Sequence, residues 1–142
     1  MKATGIVRRI DDLGRVVVPK EIRRTLRIKE SDPLEIFTDR DGKIILKKYS
    51  PIGELGDFAK EYAQSLAQVS GYTVCIADHD QIIAASGKRA KEYAGRLIDE
   101  ELETAILNRK TVKLAKKEAV RLTQNDAGGY QSQVISVITS LG

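Results

Sequence analysis

TGIVRRIDDLGRVVVPKEIRRTL, residues 4–26, is the stretch of sequence that decides the fold of the first third of this chain. Residues 4–10 and 15–18 are rich in Ile and Val, which favour extended backbone and predict two short strands. Residues 11–14, DDLG, predict a turn between them, because Asp favours turns and Gly can take a positive φ.

A short helix follows the second predicted strand. Pro19 ends that strand and suits the start of a helix, because its φ is already close to the helical value. We expect a helix of at most two turns over residues 20–26. Ile22 and Leu26 are four residues apart and therefore share one face of it.

A hairpin completes this region. Residues 34–39, LEIFTD, alternate weakly between apolar and polar, and residues 43–49, KIILKKY, form the expected returning strand. The Asp-Gly pair within residues 40–42 is typical of hairpin turns. The order β-β-α-β-β in about 48 residues leaves room only for a small core, so we expect an obligate dimer.

The excess of positive over negative charge lies in the same region. Residues 1–50 hold 13 Lys and Arg against 8 Asp and Glu, whereas residues 51–142 hold 11 against 12. Localised positive charge on a small folded unit is typical of nucleic-acid binding, and the alternative is an ordinary solvated basic surface. Six arginines fall within twenty residues: Arg8, Arg9, Arg15, Arg23, Arg24 and Arg27.

A linker helix is predicted next, over residues 51–70. Its large apolar side chains recur at spacings of three and four, which indicates one apolar stripe along the helix. The stripe resembles a coiled-coil seam and could pack between subunits, on its own domain, or on both. Its members are Leu55, Phe58, Tyr62, Leu66 and Val69.

Residues 71–142 predict a second folded domain. We expect strands over residues 72–78 and 82–86, helices within 89–107, and a strand within 130–138. Residues 114–122 are consistent with either a strand or a helix.

Several function classes have no support in the sequence. One Cys and one His provide neither a disulfide nor a zinc site. The adjacent carboxylates Asp11 and Asp12 lack a base, a nucleophile or a metal ligand beside them, so we interpret them as turn residues, with Asp11 placed to orient a neighbouring arginine. Cys75 lies in an apolar strand and is interpreted as a small buried hydrophobe. We therefore expect no enzyme activity, metal or cofactor.

No apolar run is long enough to span a bilayer, and charges near the N-terminus exclude a signal peptide. We accordingly expect a cytoplasmic protein without a membrane partner.

The motifs TGIVRRIDDLGRVVVPKEIRRTL and DPLEIFTDRDGKIILKKY together resemble the DNA-binding domain of AbrB-type transition-state regulators, over essentially all of residues 1–50. The resemblance implies an α+β fold in which two chains exchange hairpins to form one dimeric β-barrel, the swapped-hairpin barrel. It also implies double-stranded DNA as the partner. The DNA-contacting arginines of the family correspond to Arg8, Arg15, Arg23 and Arg24, with Arg9, Lys2 and Lys20 as weaker candidates.

The continuation SPIGELGDFAKEYAQSL, residues 50–66, resembles the stage V sporulation protein T branch of this family. That resemblance implies a GAF-like α/β domain over residues 71–142, which senses a small-molecule ligand of unknown identity. A GAF-like domain of this family would continue beyond residue 138, so we expect it to be incomplete here. The stripe of the linker helix, represented by Leu55, Phe58, Tyr62 and Leu66, would join two dimers into a homotetramer.

These expectations combine into a transcription regulator of the sporulation or transition-state type that acts as a homo-oligomer. The alternative is an AbrB-like antitoxin that binds DNA and a partner toxin. Because residues 72–138 are predicted to be folded, whereas antitoxin tails are often disordered, the regulator is the better interpretation.

Overall fold

The computed structural model describes residues 3–139, which form a mixed α/β structure with three two-stranded antiparallel sheets. The chain divides into two compact units, the first ending at Tyr49 and the second beginning at Ser50. The elements in chain order are α1 (Lys20–Thr25), β1 (Leu34–Thr38), β2 (Ile44–Lys48), α2 (Pro51–Glu54), α3 (Gly56–Ser70), β3 (Val74–Ala77), β4 (Ile82–Ser86), α4 (Ala90–Tyr93), α5 (Glu100–Leu107), β5 (Val112–Ala115) and β6 (Ser132–Ile135).

The first unit consists of helix α1 and the hairpin β1–β2. The two strands pair from Leu34 opposite Lys48 to Thr38 opposite Ile44. The predictions of a helix after Pro19 and of a hairpin around residues 40–42 are therefore confirmed.

The two strands predicted before α1 are not formed. In the described part of the first unit, residues 4–10 and 15–18 belong to no strand, and the predicted turn between them is closed by the Asp11 N–H, which donates to the Arg15 carbonyl at 3.0 Å. A strand requires a hydrogen-bonding partner. The strand prediction was wrong for the single chain, because β propensity specifies extended backbone but provides no partner strand.

The first unit lacks an apolar core of its own. Among its described residues only Pro19 is buried, and both buried hydrophobic clusters lie in the second unit. Its large apolar side chains are exposed to solvent in the single chain: Ile6, Val7, Ile10, Leu13, Val16, Val17, Leu26, Ile36, Phe37, Ile44, Ile45, Leu46 and Tyr49.

The second unit is built around helix α3 and the hairpin β3–β4. The helix places its small residues Ala59 and Ala63 against Ala84 of β4. The half-buried side chains packed around this contact are Val74, Ile76 and Ile83. The helix predicted as a linker over residues 51–70 thus lies within the second unit, where α2 and α3 meet at Leu55.

A second apolar cluster lies on the opposite side of the β3–β4 hairpin. Its most deeply buried members are Ile82, Tyr93 and Ile98, and Leu102 of α5 packs beside them. The Ile82 N–H donates to the Arg96 carbonyl at 2.9 Å, which joins the strand to the segment after α4.

A polar network is enclosed beside this cluster and centres on Asp126, whose side chain is 0% exposed. Its Oδ2 accepts hydrogen bonds from the Leu122 N–H at 2.8 Å and from the Tyr130 hydroxyl, and its Oδ1 accepts from the Gly128 N–H at 2.8 Å. Burial opposes the charged form, but these hydrogen bonds outweigh it and lower the pKa of Asp126. The carboxylate is therefore ionised and satisfied inside the fold.

Arg89 covers the same network. Its guanidinium carbon lies 5.4 Å from the Tyr93 ring centroid and 5.3 Å from that of Tyr130, within the range of cation–π contact. Its Nη1 donates to the Gly128 carbonyl at 2.8 Å, and its Nη2 lies 2.8 Å from Glu92 Oε2.

The open prediction for residues 114–122 is decided by the structure. β5 pairs with β6 from Val112 opposite Ile135 to Ala115 opposite Ser132. A turn begins immediately after Ala115, so the segment is neither one strand nor one helix.

Across residues 3–139, no helix is long and apolar enough to cross a membrane.

Candidate nucleic-acid interface

The candidate basic residues of the first unit are exposed on three local structures. Arg8 and Arg9 lie in the segment before the first turn, and Arg15 closes that turn. Lys20, Arg23 and Arg24 belong to helix α1, whose sequence is KEIRRT. Lys2 lies outside the described residues.

The turn that carries Arg15 is built by Asp11. Asp11 Oδ1 accepts from the Leu13 N–H at 3.0 Å and from the Arg15 N–H at 2.8 Å, while its Oδ2 accepts from Arg15 Nε at 2.8 Å. Gly14 closes the turn at φ +75°, a conformation that a residue with a side chain rarely adopts. The Arg15 backbone N–H and then its guanidinium are the main causes that lower the pKa of Asp11.

Helix α1 presents Arg23 and Arg24 near its C-terminal end. The helix ends in a Schellman motif, in which the Ile28 N–H donates to the Arg23 carbonyl at 2.7 Å and the Arg27 N–H donates to the Arg24 carbonyl at 3.3 Å. Arg23 Nε also donates to the Val18 carbonyl at 3.1 Å. The backbone of both arginines is thereby held while their side chains remain exposed.

Two further cations of the first unit, Arg27 and Lys48, have structural contacts. Arg27 is half-buried and occupies the C′ position of the helix at φ +53°, where Gly is usual. Lys48 Nζ donates to the Arg27 carbonyl at 2.9 Å and lies 3.4 Å from Asp32 Oδ2. Lys48 therefore holds the end of α1 against β2. The sequence contained no sign of this contact, because the two residues are far apart along the chain.

The predicted oligomerisation residues form an exposed stripe on α3. Leu55, Phe58, Tyr62 and Leu66 are each 51–55% exposed, and the rings of Phe58 and Tyr62 lie 4.8 Å apart. The face of α3 that packs on its own unit is instead the alanine face. In the single chain, therefore, the stripe does not pack on its own domain.

Asp12 is exposed beside the Asp11 turn, and residues 3–139 contain no group of three or more His, Cys, Asp or Glu placed to hold a metal ion. The Asp126 network was missed from sequence, because Tyr93, Asp126 and Tyr130 come together only through tertiary packing. The first unit, in contrast, presents a set of exposed guanidinium groups. Such groups suit the recognition of phosphates and guanine edges.

Comparison with known families matches both units of the chain. Residues 54–142 match the family described as stage V sporulation protein T C-terminal, transcription factor. Residues 7–54 match the family described as antidote-toxin recognition MazE, bacterial antitoxin.

Individual relatives agree with these matches. Stage V sporulation protein T of Bacillus subtilis (strain 168) is 56% identical over 142 residues, which are 100% of this chain and 80% of that protein. Transition state regulatory protein AbrB of the same organism is 69% identical over 51 residues, 36% of this chain and 52% of that protein. The solution structure of the N-terminal DNA recognition domain of Bacillus subtilis AbrB is 69% identical, covers 36% of this chain and 94% of that chain, and has a TM-score of 0.31.

The resemblance expected from residues 1–66 is thus confirmed along the whole chain. The 56% identical relative covers both units, and the family match to residues 54–142 covers the second unit. The chain belongs to the stage V sporulation protein T family of AbrB-type transcription regulators.

Proposed function

We propose that this regulator binds double-stranded DNA through the exposed arginines of its first unit and acts as a homo-oligomer. The observation that carries the proposal is the position of Arg8, Arg15, Arg23 and Arg24 on one small unit, all exposed. Within the described residues, Arg15 is the one of these four with an ion pair. Because the proposed partner is double-stranded DNA, we also propose a cytoplasmic location.

A second copy of the chain is proposed to complete the first unit as a swapped-hairpin barrel. Its thirteen exposed large apolar side chains support this, because burying one such side chain contributes about 1.5–3 kcal/mol. The segments at residues 4–10 and 15–18 support it too, since they have the composition of strands and form no strand in the single chain.

The stripe on α3 is proposed to join two dimers into a tetramer. Its side chains follow the three- and four-residue spacing of a coiled-coil seam and are exposed in the single chain. Pairing of this face between dimers would leave the alanine face on its own sheet undisturbed.

The second unit is proposed to be a GAF-like regulatory domain that binds a small molecule. The candidate site is an open surface depression bordered by Arg96, Thr123 and Asn125, whose polar side chains suit a polar ligand. Thermal-shift screening of polar metabolites would test this: a hit should lose its shift in Arg96→Ala, and a shift that persists there would place the ligand elsewhere.

The DNA proposal is tested with Arg23→Ala/Arg24→Ala in the full chain. In a dimer the double variant removes four cationic side chains. Each neutralised phosphate contributes a slope of about −0.9 to the dependence of log affinity on log salt, so the slope should become shallower by up to about 3.6. Fluorescence anisotropy of labelled duplex DNA across a salt series measures both the affinity and the slope.

The matched control is Arg40→Ala/Lys47→Ala, which removes the same charge from exposed positions of the same unit. We expect a smaller loss of affinity and a smaller change in slope than in the arginine pair. Equal behaviour of the two double variants would show that charge alone, and not this arginine surface, determines binding.

An antitoxin role is the alternative, because residues 7–54 match the MazE antitoxin family. The regulator is favoured because the second unit is compact and has two buried clusters, and not an unstructured tail. Co-expression with the neighbouring gene product separates the two: a stable hetero-complex would support the antitoxin.

A further inference from the structure

The first unit contains the same turn twice, in the sequences DDLGR and DRDGK. In both turns the N–H of the first Asp donates to the carbonyl of the fifth residue, at 3.0 Å from Asp11 to Arg15 and 3.1 Å from Asp39 to Lys43. The fourth residue is a Gly, at φ +75° in one turn and +77° in the other. The first Asp determines the shape of each turn.

The carboxylates make the same three bonds in both turns. Asp39 Oδ1 accepts from the Asp41 and Lys43 N–H groups at 3.0 and 2.9 Å, as Asp11 Oδ1 does from residues 13 and 15. Asp39 Oδ2 accepts from Lys43 Nζ at 3.0 Å, as Asp11 Oδ2 does from Arg15 Nε at 2.8 Å. In each turn one oxygen holds the backbone and the other holds a cation.

The two turns differ in what remains available on the cation. Lys43 Nζ is shared between Asp39 and a second carboxylate, Asp41, at 2.8 Å. Arg15 is held only through Nε, and its two terminal amino groups have no partner among residues 3–139. The first turn therefore holds a guanidinium in place while leaving the edge that binds phosphate or guanine open.

We propose that Asp11 is a positioning residue for DNA binding, which rests on the proposed role of Arg15 as a DNA contact. Its carboxylate is fixed by two backbone N–H groups and holds the guanidinium through Nε. The Nη pair is thereby presented to DNA before binding. A long side chain that is already ordered loses less conformational freedom when the complex forms.

The test is Asp11→Asn in the full-length protein. The amide oxygen of Asn can still accept from the Leu13 and Arg15 N–H groups, so the turn is retained. Its NH₂ group faces Arg15 Nε, and two donors cannot bond. We expect roughly ten-fold weaker binding of a dimer to DNA, although the variant removes a negative charge from the surface.

Asp12→Asn is the matched charge control. Asp12 is exposed and forms no hydrogen bond or ion pair with another described residue, so its replacement changes the charge alone. Removing a negative charge near DNA should leave the affinity unchanged or raise it. Of the two neighbouring substitutions, only Asp11→Asn is thus expected to weaken binding, and equal or tighter binding by Asp11→Asn would overturn the proposal.

A double-mutant cycle with Arg15→Ala separates positioning from general destabilisation. Asp11 should have no effect on DNA affinity once Arg15 is absent, and a persisting loss would refute a role through Arg15. Asp39→Asn reports the cost in stability of the same change in the equivalent turn, by thermal unfolding. If Arg15→Ala by itself binds normally, the proposed function of Arg15 fails; if only Asp11→Asn binds normally, the positioning role alone fails.

Discussion

Replacing Asp126 by Ala tests the physical account of the second unit most directly. The change removes the acceptor of three hydrogen bonds, from the Tyr130 hydroxyl and the N–H groups of Leu122 and Gly128. It also removes the carboxylate 3.9 Å from Arg89 Nη2. Because the side chain of Asp126 is fully enclosed, water cannot replace those bonds without opening the fold.

The expected loss is about 3–5 kcal/mol of unfolding free energy, the range found when one partner of a buried charged network is removed. Hydrogen bonds to a charged acceptor are each worth about 1.5–3 kcal/mol, so three of them set an upper bound above this range. For a unit of this size, 1 kcal/mol corresponds to roughly 4–8 °C in Tm. The variant should therefore melt more than about 10 °C lower.

Differential scanning calorimetry of the full chain measures this loss. Asp57→Ala is the control, because that side chain is fully exposed and its ion pair with the exposed Lys60 is long, at 3.7 Å. It should change stability by less than about 1 kcal/mol. The folded pKa of Asp126 is lowered, so its contribution is present above its unfolded pKa near 3.8 and declines as the pH falls through the folded value. A loss below 1 kcal/mol, or an unchanged acid limb of the stability profile, would refute the account.

The remaining predictions concern assembly, backbone strain and the thiol. Residues 1–50 alone should be dimeric and unfold with a concentration-dependent midpoint, and a folded monomer at micromolar concentration by light scattering would contradict this. Phe58→Asp should lower the mass of the oligomer without melting the second unit, whereas Gln64→Asp, away from the stripe on α3, should leave the mass unchanged in analytical ultracentrifugation. Arg27→Gly should raise the unfolding free energy by about 1 kcal/mol in denaturant titrations, because φ +53° is strained for a residue with a side chain. Burial raises the pKa of Cys75 to about 11, so the thiol should resist a thiol reagent at pH 8 in the folded protein. The burial of the neutral thiol contributes fully to stability below its ordinary pKa of 9.0. That contribution should be lost as the pH rises through 11.

Elements with a strong local signal were predictable from sequence. The hairpin β1–β2 follows from the Asp-Gly turn between two β-prone runs, and α1 follows from Pro19 and the spacing of Ile22 and Leu26. The β3–β4 hairpin was likewise placed nearly at its observed bounds.

Features that depend on contacts distant in sequence were not predictable. The sequence pattern made the large side chains of α3 a candidate packing face. The face that contacts the sheet instead carries Ala59 and Ala63, whose small side chains allow β4 to approach closely. The segments at 4–10 and 15–18 have strand composition and form no strand, because pairing needs a partner that propensity cannot provide. For the candidate site, composition identified the arginines, whereas the hydrogen bond from Arg15 Nε to Asp11 depends on the three-dimensional shape of the turn.

The sequence by itself determined the family, the basic first unit, the turn residues and most of the local elements, because these depend on neighbouring residues and on composition. Only the tertiary structure decided that Asp126 is enclosed with Tyr130 and Arg89, that the first unit keeps its apolar side chains exposed, and that Arg15 is held on one side and open on the other. The physical reason is that burial, desolvation and the direction of a hydrogen bond depend on which groups meet in space. Local patterns constrain the backbone, but the meeting of distant side chains depends on the packing of the whole unit.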